Sequence, residues 1–95
     1  MFLLRRKSES KKKAEANRKT LQKIFKTVSD IADTEDECTT QLLTGAAIGV
    51  IYAEGEHGCI TKHQRDALCQ MAAAVGNDRV HSIRKETDVQ FIDIQ

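Results

Sequence analysis

Thr34 to Gly76, TEDECTTQLLTGAAIGVIYAEGEHGCITKHQRDALCQMAAAVG, holds two apolar runs joined by Gly55-Glu56-His57-Gly58-Cys59. Thr34 and Glu37 form a T-x-x-E capping box, in which each side chain satisfies a free backbone N–H of the other. Glu35 and Asp36 fall in the first turn, where the helix dipole favours acids. A helix over 35–54 follows. Leu42, Leu43, Ala46, Ala47, Ile48, Val50, Ile51 and Ala53 leave it little polar face, the pattern of a helix buried on more than one side. Gly55 is a candidate C-cap. Thr61 and Gln64 make a second box, T-x-x-Q, that opens a helix over 62–75. Its buried stripe is Ala67, Leu68, Met71, Ala72 and Val75, and Gly76-Asn77 reads as its end.

Gly45-Ala46-Ala47-Ile48-Gly49 places two glycines mid-helix. Each is about 1 kcal/mol worse there than alanine, so the pair implies close backbone approach by a neighbour. That neighbour is another helix of the chain or a second subunit. Gly45, Ala46 and Gly49 are therefore the candidate interface.

Upstream, Leu21, Ile24, Phe25, Val28, Ile31 and Ala32 recur at helical spacing and give an amphipathic helix over 8–33. Lys12, Lys19, Lys23 and Lys26 follow the same period on the opposite face. Residues 1–7 read as a flexible or strand-like tip, with the first turn of a helix as the other reading of Phe2-Leu3-Leu4. Downstream, 79–94 reads as a hairpin or strand, because Val89-Gln90-Phe91-Ile92-Asp93-Ile94 is rich in β-formers. The fold class is mainly α: a three-helix domain with a helical hairpin core, a basic N-terminal helix and a short C-terminal β element. The 95 residues make one domain.

A net charge of +1 hides a segregation. Residues 1–26 hold ten Lys/Arg against two acids, a net of +8; residues 27–95 hold five against twelve, a net of −7. Such asymmetry marks a basic arm for nucleic acid, an anionic membrane or an acidic partner, beside the plainer reading of a solvated helix. Arg5, Arg6, Lys11, Lys12, Lys13, Arg18, Lys19, Lys23 and Lys26 are the candidate phosphate contacts. Aromatics for base stacking are missing from this arm, which disfavours single-strand recognition.

Other chemistries fail on spacing. The loop around Gly58 has an EF-hand outline, but Ala53, Gly55, His57 and Gln64 stand where calcium needs carboxylates. His57, Cys59, His63 and Cys69 match no structural zinc pattern. Val80 and Ile83 fall too close to Gly76 for a helix-turn-helix. Cys59 beside His57 and His63 is the nearest thing to a nucleophile pair, and no recognisable catalytic frame surrounds it. The expectation is a non-enzymatic binding module without cofactor or metal. Three cysteines with no secretory signal suggest reduced thiols in a cytoplasmic protein. The longest apolar run, Leu42 to Ala53, is about half of the roughly 20 residues a membrane span needs.

Ile51-Tyr52-Ala53-Glu54-Gly55, followed by Ile60 and Leu68, resembles the hairpin of tellurite-resistance-type helical domains. The resemblance covers about a quarter of the chain, implies only a helical hairpin and transfers no site.

Two functions follow. The first is a nucleic-acid contact through the basic helix. The alternative is a protein-interaction module, an adaptor or inhibitor, acting as a homodimer through the small-residue helix. Head-to-tail association, basic arm on acidic body, would also use the charge split.

Overall fold

The computed structural model describes the backbone of residues 2–94 and the side chains of residues 10–87. It consists of α1 (Phe2–Ala32), α2 (Glu37–Glu56) and α3 (Lys62–Ile94). Among the described residues there is no strand. The mainly α reading holds, and both terminal expectations change. Residues 2–7 are the start of α1 rather than a tip, and 79–94 continue α3 rather than forming a hairpin or strand. The reason is common to both ends. The chain has no proline, and its first glycine is Gly45, so nothing breaks α1. Beyond Gly76 the sequence has no breaker, and among the described residues there is no partner strand; an unpaired strand leaves its backbone groups unsatisfied.

Three α-helical segments pack around one core. Ile24, Val28 and Ile31 of α1, Ala47 and Ile51 of α2, Ile60 of the loop, and Leu68 and Ala72 of α3 are buried together. Half of the expected α1 stripe is there; Phe25 and Ala32 lie outside it, exposed. Ala67 is likewise exposed, while Leu68 and Ala72 face inward.

The junctions explain the helix ends. Thr34 is not a cap. Its hydroxyl donates to the Ile31 carbonyl at 2.8 Å and pairs with the Thr40 hydroxyl at 2.6 Å, both buried. Asp36, in extended backbone, is the N-cap of α2, and its Oδ1 accepts from the Thr39 N–H at 2.7 Å. The α2–α3 loop closes as a Schellman turn. The N–H of Cys59 donates to the Glu54 carbonyl and that of Gly58 to the Gly55 carbonyl. Gly58, at φ +75°, takes the left-handed position expected of Gly55. The Thr61–Gln64 box forms as expected: Gln64 N–H donates to Thr61 Oγ1 at 3.0 Å, and Thr61 N–H to Gln64 Oε1 at 2.9 Å.

Gly76 lies inside α3, buried, where a Cβ would meet Thr44 Oγ1 at 2.3 Å. It is glycine because α2 passes close by, not because the helix stops. Past it, Arg79 Nε donates to the Thr34 carbonyl at 2.6 Å and Arg84 pairs with Glu37. These contacts tie α3 to the α1–α2 corner and hold it helical.

The helices are staggered. The molecule measures 76 × 17 × 16 Å. At 1.5 Å per residue, α1 and α3 are about 46 and 50 Å long, so no single helix spans the long axis. At one end, Asn17 Nδ2 donates to the Cys59 carbonyl at 2.8 Å and to Gln64 Oε1 at 3.0 Å. This is where α1 meets the bottom of the hairpin, and residues 10–16 beyond it are exposed throughout. At the other end α3 runs past the corner at Thr34.

Candidate nucleic-acid interface

Lys11, Lys12, Lys13, Arg18, Lys19, Lys23 and Lys26 are all exposed on α1. Arg5 and Arg6 lie on the same helix, and their side chains fall outside the described residues. Lys12, Lys19, Lys23 and Lys26 line one face over about 21 Å. Lys11 and Arg18, seven residues apart, share a second flank. Lys13 stands on the line of the core residue Ile24, a position that tolerates lysine only because the bundle has ended at Asn17. The overhang therefore presents cations around most of its circumference.

Lys23 approaches Glu54 of α2 at 3.9 Å. It is the one cation of this group with a carboxylate in ion-pair range among the described residues. The contact is exposed on the lysine side and contributes little. It places Lys23, at the edge of the lysine stripe, beside α2. The opposite pole is the α1–α2 corner, where Asp30, Asp33, Glu35 and Asp36 are exposed. The charge split of the sequence is thus a separation along the molecule.

The second candidate surface is on α2. Cys38, Leu42, Gly45, Ala46, Gly49, Tyr52 and Ala53 are exposed on one face. Leu42 is 69% and Tyr52 50% exposed. A Cβ at Gly45 or Gly49 would meet nothing within 4 Å. α2 is covered on two sides, by α1 and by α3, with Thr40, Ala47 and Ile51 buried and Leu43, Ile48 and Val50 partly buried against the core, but its glycine side is uncovered. Each exposed glycine still carries its helix penalty of about 1 kcal/mol relative to alanine. Among the described residues no neighbour accounts for them. The Arg65 guanidinium lies 5.4 Å from the Tyr52 ring centre and orients it at the edge of this face.

The remaining chemistry-bearing residues do not assemble. Among the described residues no group of three or more His, Cys, Asp or Glu is placed to hold a metal. His57 and His63 are exposed. The cysteines are free thiols. A hydrogen bond to Glu54, with burial and its charge adding, raises the Cys59 thiol above its usual value, while Thr20 opposes; burial chiefly raises Cys69. A raised pKa keeps both as thiols, the less nucleophilic form. A groove of about 300 Å³ between α2 and α3 is lined by Gln41, Thr44, Gly76, Asn77, His81 and Arg84. Among the described residues no helix is long and apolar enough to cross a membrane.

The structure places the sequence-derived cations together on one arm and Gly45, Ala46 and Gly49 together on one face. What the sequence reading missed is Leu42 and Tyr52 as exposed members of that face. Their spacing from Gly45 and Gly49, three residues outward on each side, was the available signal. Comparison with known proteins adds no relative: no family model, no curated protein and no solved structure matches this chain.

Proposed function

We propose that this protein is a non-enzymatic binding module that contacts nucleic-acid phosphates through α1. The observation that carries the reading is the cation-bearing overhang. Seven exposed Lys/Arg stand on a helix that outruns its bundle, and all but Lys23 lack an ion-pair carboxylate among the described residues. Duplex DNA carries one charge per about 1.7 Å of axis, so about 21 Å of lysine stripe meets more phosphates than it has lysines. Lysine count, not phosphate supply, sets the contact. Such binding is non-specific in sequence: it places the protein on a backbone and reads no base.

The test is duplex DNA and RNA binding by fluorescence anisotropy across a salt series. Four lysines on one face predict a log–log salt slope of about −4. Reversing Lys12, Lys19 and Lys23 to glutamate abolishes binding if the reading is right. Absence of binding at low salt, or binding indifferent to those reversals, sinks it. A second reading, protein interaction through α2, is favoured by the uncovered glycine face.

A further inference from the structure

We infer that the uncovered face of α2 is the contact for a second copy of this chain, packed antiparallel. The starting point is the face itself. Cys38, Leu42, Gly45, Gly49 and Tyr52 form an exposed line broken by no charge until Glu56. Two glycines with open space above them let another helix backbone come close. The face is also self-complementary. A two-fold axis at the level of Ala47 sets Gly45 opposite Gly49 of the second copy and Leu42 opposite its Tyr52. Large side chains then flank a small-residue centre on both sides, as close helix packing requires.

Charge selects both the occupant and the direction. The acidic corner (Asp30, Asp33, Glu35, Asp36) lies at one end of the bundle, and Arg18 and Lys19 lie at the other, all exposed. Lys23, one turn beyond Lys19 on the same stripe, approaches Glu54, so this edge of α1 borders α2. An antiparallel partner brings the acidic corner of each copy to the Arg18–Lys19 end of the other. A parallel partner sets acid on acid and lysine on lysine, which is unfavourable. The apolar strip is narrow, one helix face about 22 Å long, so the contact belongs with small interfaces that give weak association.

Sedimentation equilibrium on the full chain, over a wide concentration range and at several salt concentrations, tests this. The expected result is a reversible dimer whose association constant falls as salt rises. Gly45→Ala with Gly49→Ala weakens association at least tenfold while the thermal midpoint of the dilute protein holds or rises, because alanine fits the free monomer. For direction, Leu42→Cys and Tyr52→Cys are introduced singly and together, in a Cys38→Ser background. The antiparallel register cross-links only the double variant. Two copies of residue 42 sit about 15 Å apart along the axis, beyond the roughly 7 Å between Cα atoms that a disulfide bridges. A strict monomer at low salt overturns the inference. So does a dimer unaffected by the alanine pair, or one that cross-links through either single variant.

Discussion

Gly76 and Thr44 decide how close α2 and α3 come. A Cβ at Gly76 would lie 2.3 Å from Thr44 Oγ1, 3.0 Å from its Cγ2 and 3.2 Å from its Cβ. Turning the threonine does not relieve this, since its Cβ is itself in the way. The Thr44 hydroxyl is also engaged, donating to the Thr40 carbonyl at 2.7 Å. Gly76→Ala therefore sets a helix-propensity gain of about 1 kcal/mol against an overpacking loss of about 1–3 kcal/mol. The buried site tips the balance, and urea unfolding is expected to show net destabilisation. Thr44→Ala removes the two nearest atoms, so the double variant should recover part of the loss, a favourable coupling in the mutant cycle. Gly45 and Gly49 behave oppositely in the monomer, where alanine meets open space. Gly45, Gly49 and Gly76 all lie within helices, and only position in the fold separates a close approach from an uncovered face. That is why Gly76 reads as a stop from sequence and is a packing residue in fact.

At the scale of elements, the two capping boxes show what local sequence carries. Thr61–Gln64 is legible because both partners lie within one turn and nothing nearby competes. At the start of α2 two patterns overlap, Thr34-x-x-Glu37 and Asp36-x-x-Thr39. Asp36 wins because it accepts from both the N–H and the hydroxyl of Thr39, at 2.7 and 2.5 Å. Thr34 is drawn into the core by Thr40, a contact no spacing rule supplies. Glu37 is released from capping to meet Arg84, 47 residues away. The C-terminal misreading has the same origin: β-formers favour a strand only where a partner exists, and here Arg79 and Arg84 bind α3 to the corner instead. The Asp36 cap and the Glu37–Arg84 pair predict a pH dependence. Thr39 hydrogen bonds lower the Asp36 carboxyl below 3.8, and the Arg84 hydrogen bond lowers Glu37 below 4.5. A depressed carboxyl stabilises the fold above its unfolded value, and that stabilisation is lost as pH falls through the folded value. Thermal midpoints should thus decline below about pH 4.5. The Asp36→Asn, Glu37→Gln variant should start lower at neutral pH and lose less on acidification. Parallel declines in both proteins would refute the assignment.

The whole molecule is an electrostatic rod, and its length gives the charge split its meaning. In a compact three-helix bundle, +8 and −7 segments would lie within a Debye length of about 10 Å and largely cancel. Here the stagger carries Lys11–Lys13 beyond one end of the hairpin while Asp33 and Glu35 remain at the corner where α1 and α2 meet. That corner is the lever that separates the two readings of α1. Asp33 and Glu35 are exposed and take no part in the Asp36 cap, so Asp33→Lys with Glu35→Lys should leave the fold intact. On a phosphate, the variant loses an acidic pole and gains two cations. Duplex affinity should rise, and the salt slope should steepen only if the corner itself reaches the backbone. On a second copy, the same change sets lysine against Arg18 and Lys19, so dimerisation should weaken most at low salt. Circular dichroism, anisotropy and sedimentation on this one variant therefore read both contacts. A variant that binds duplex no better than the parent at low salt would mean that α1 acts through few local contacts and not through the field of the molecule. An unchanged dimer would mean that the α2 face associates without the acidic corner.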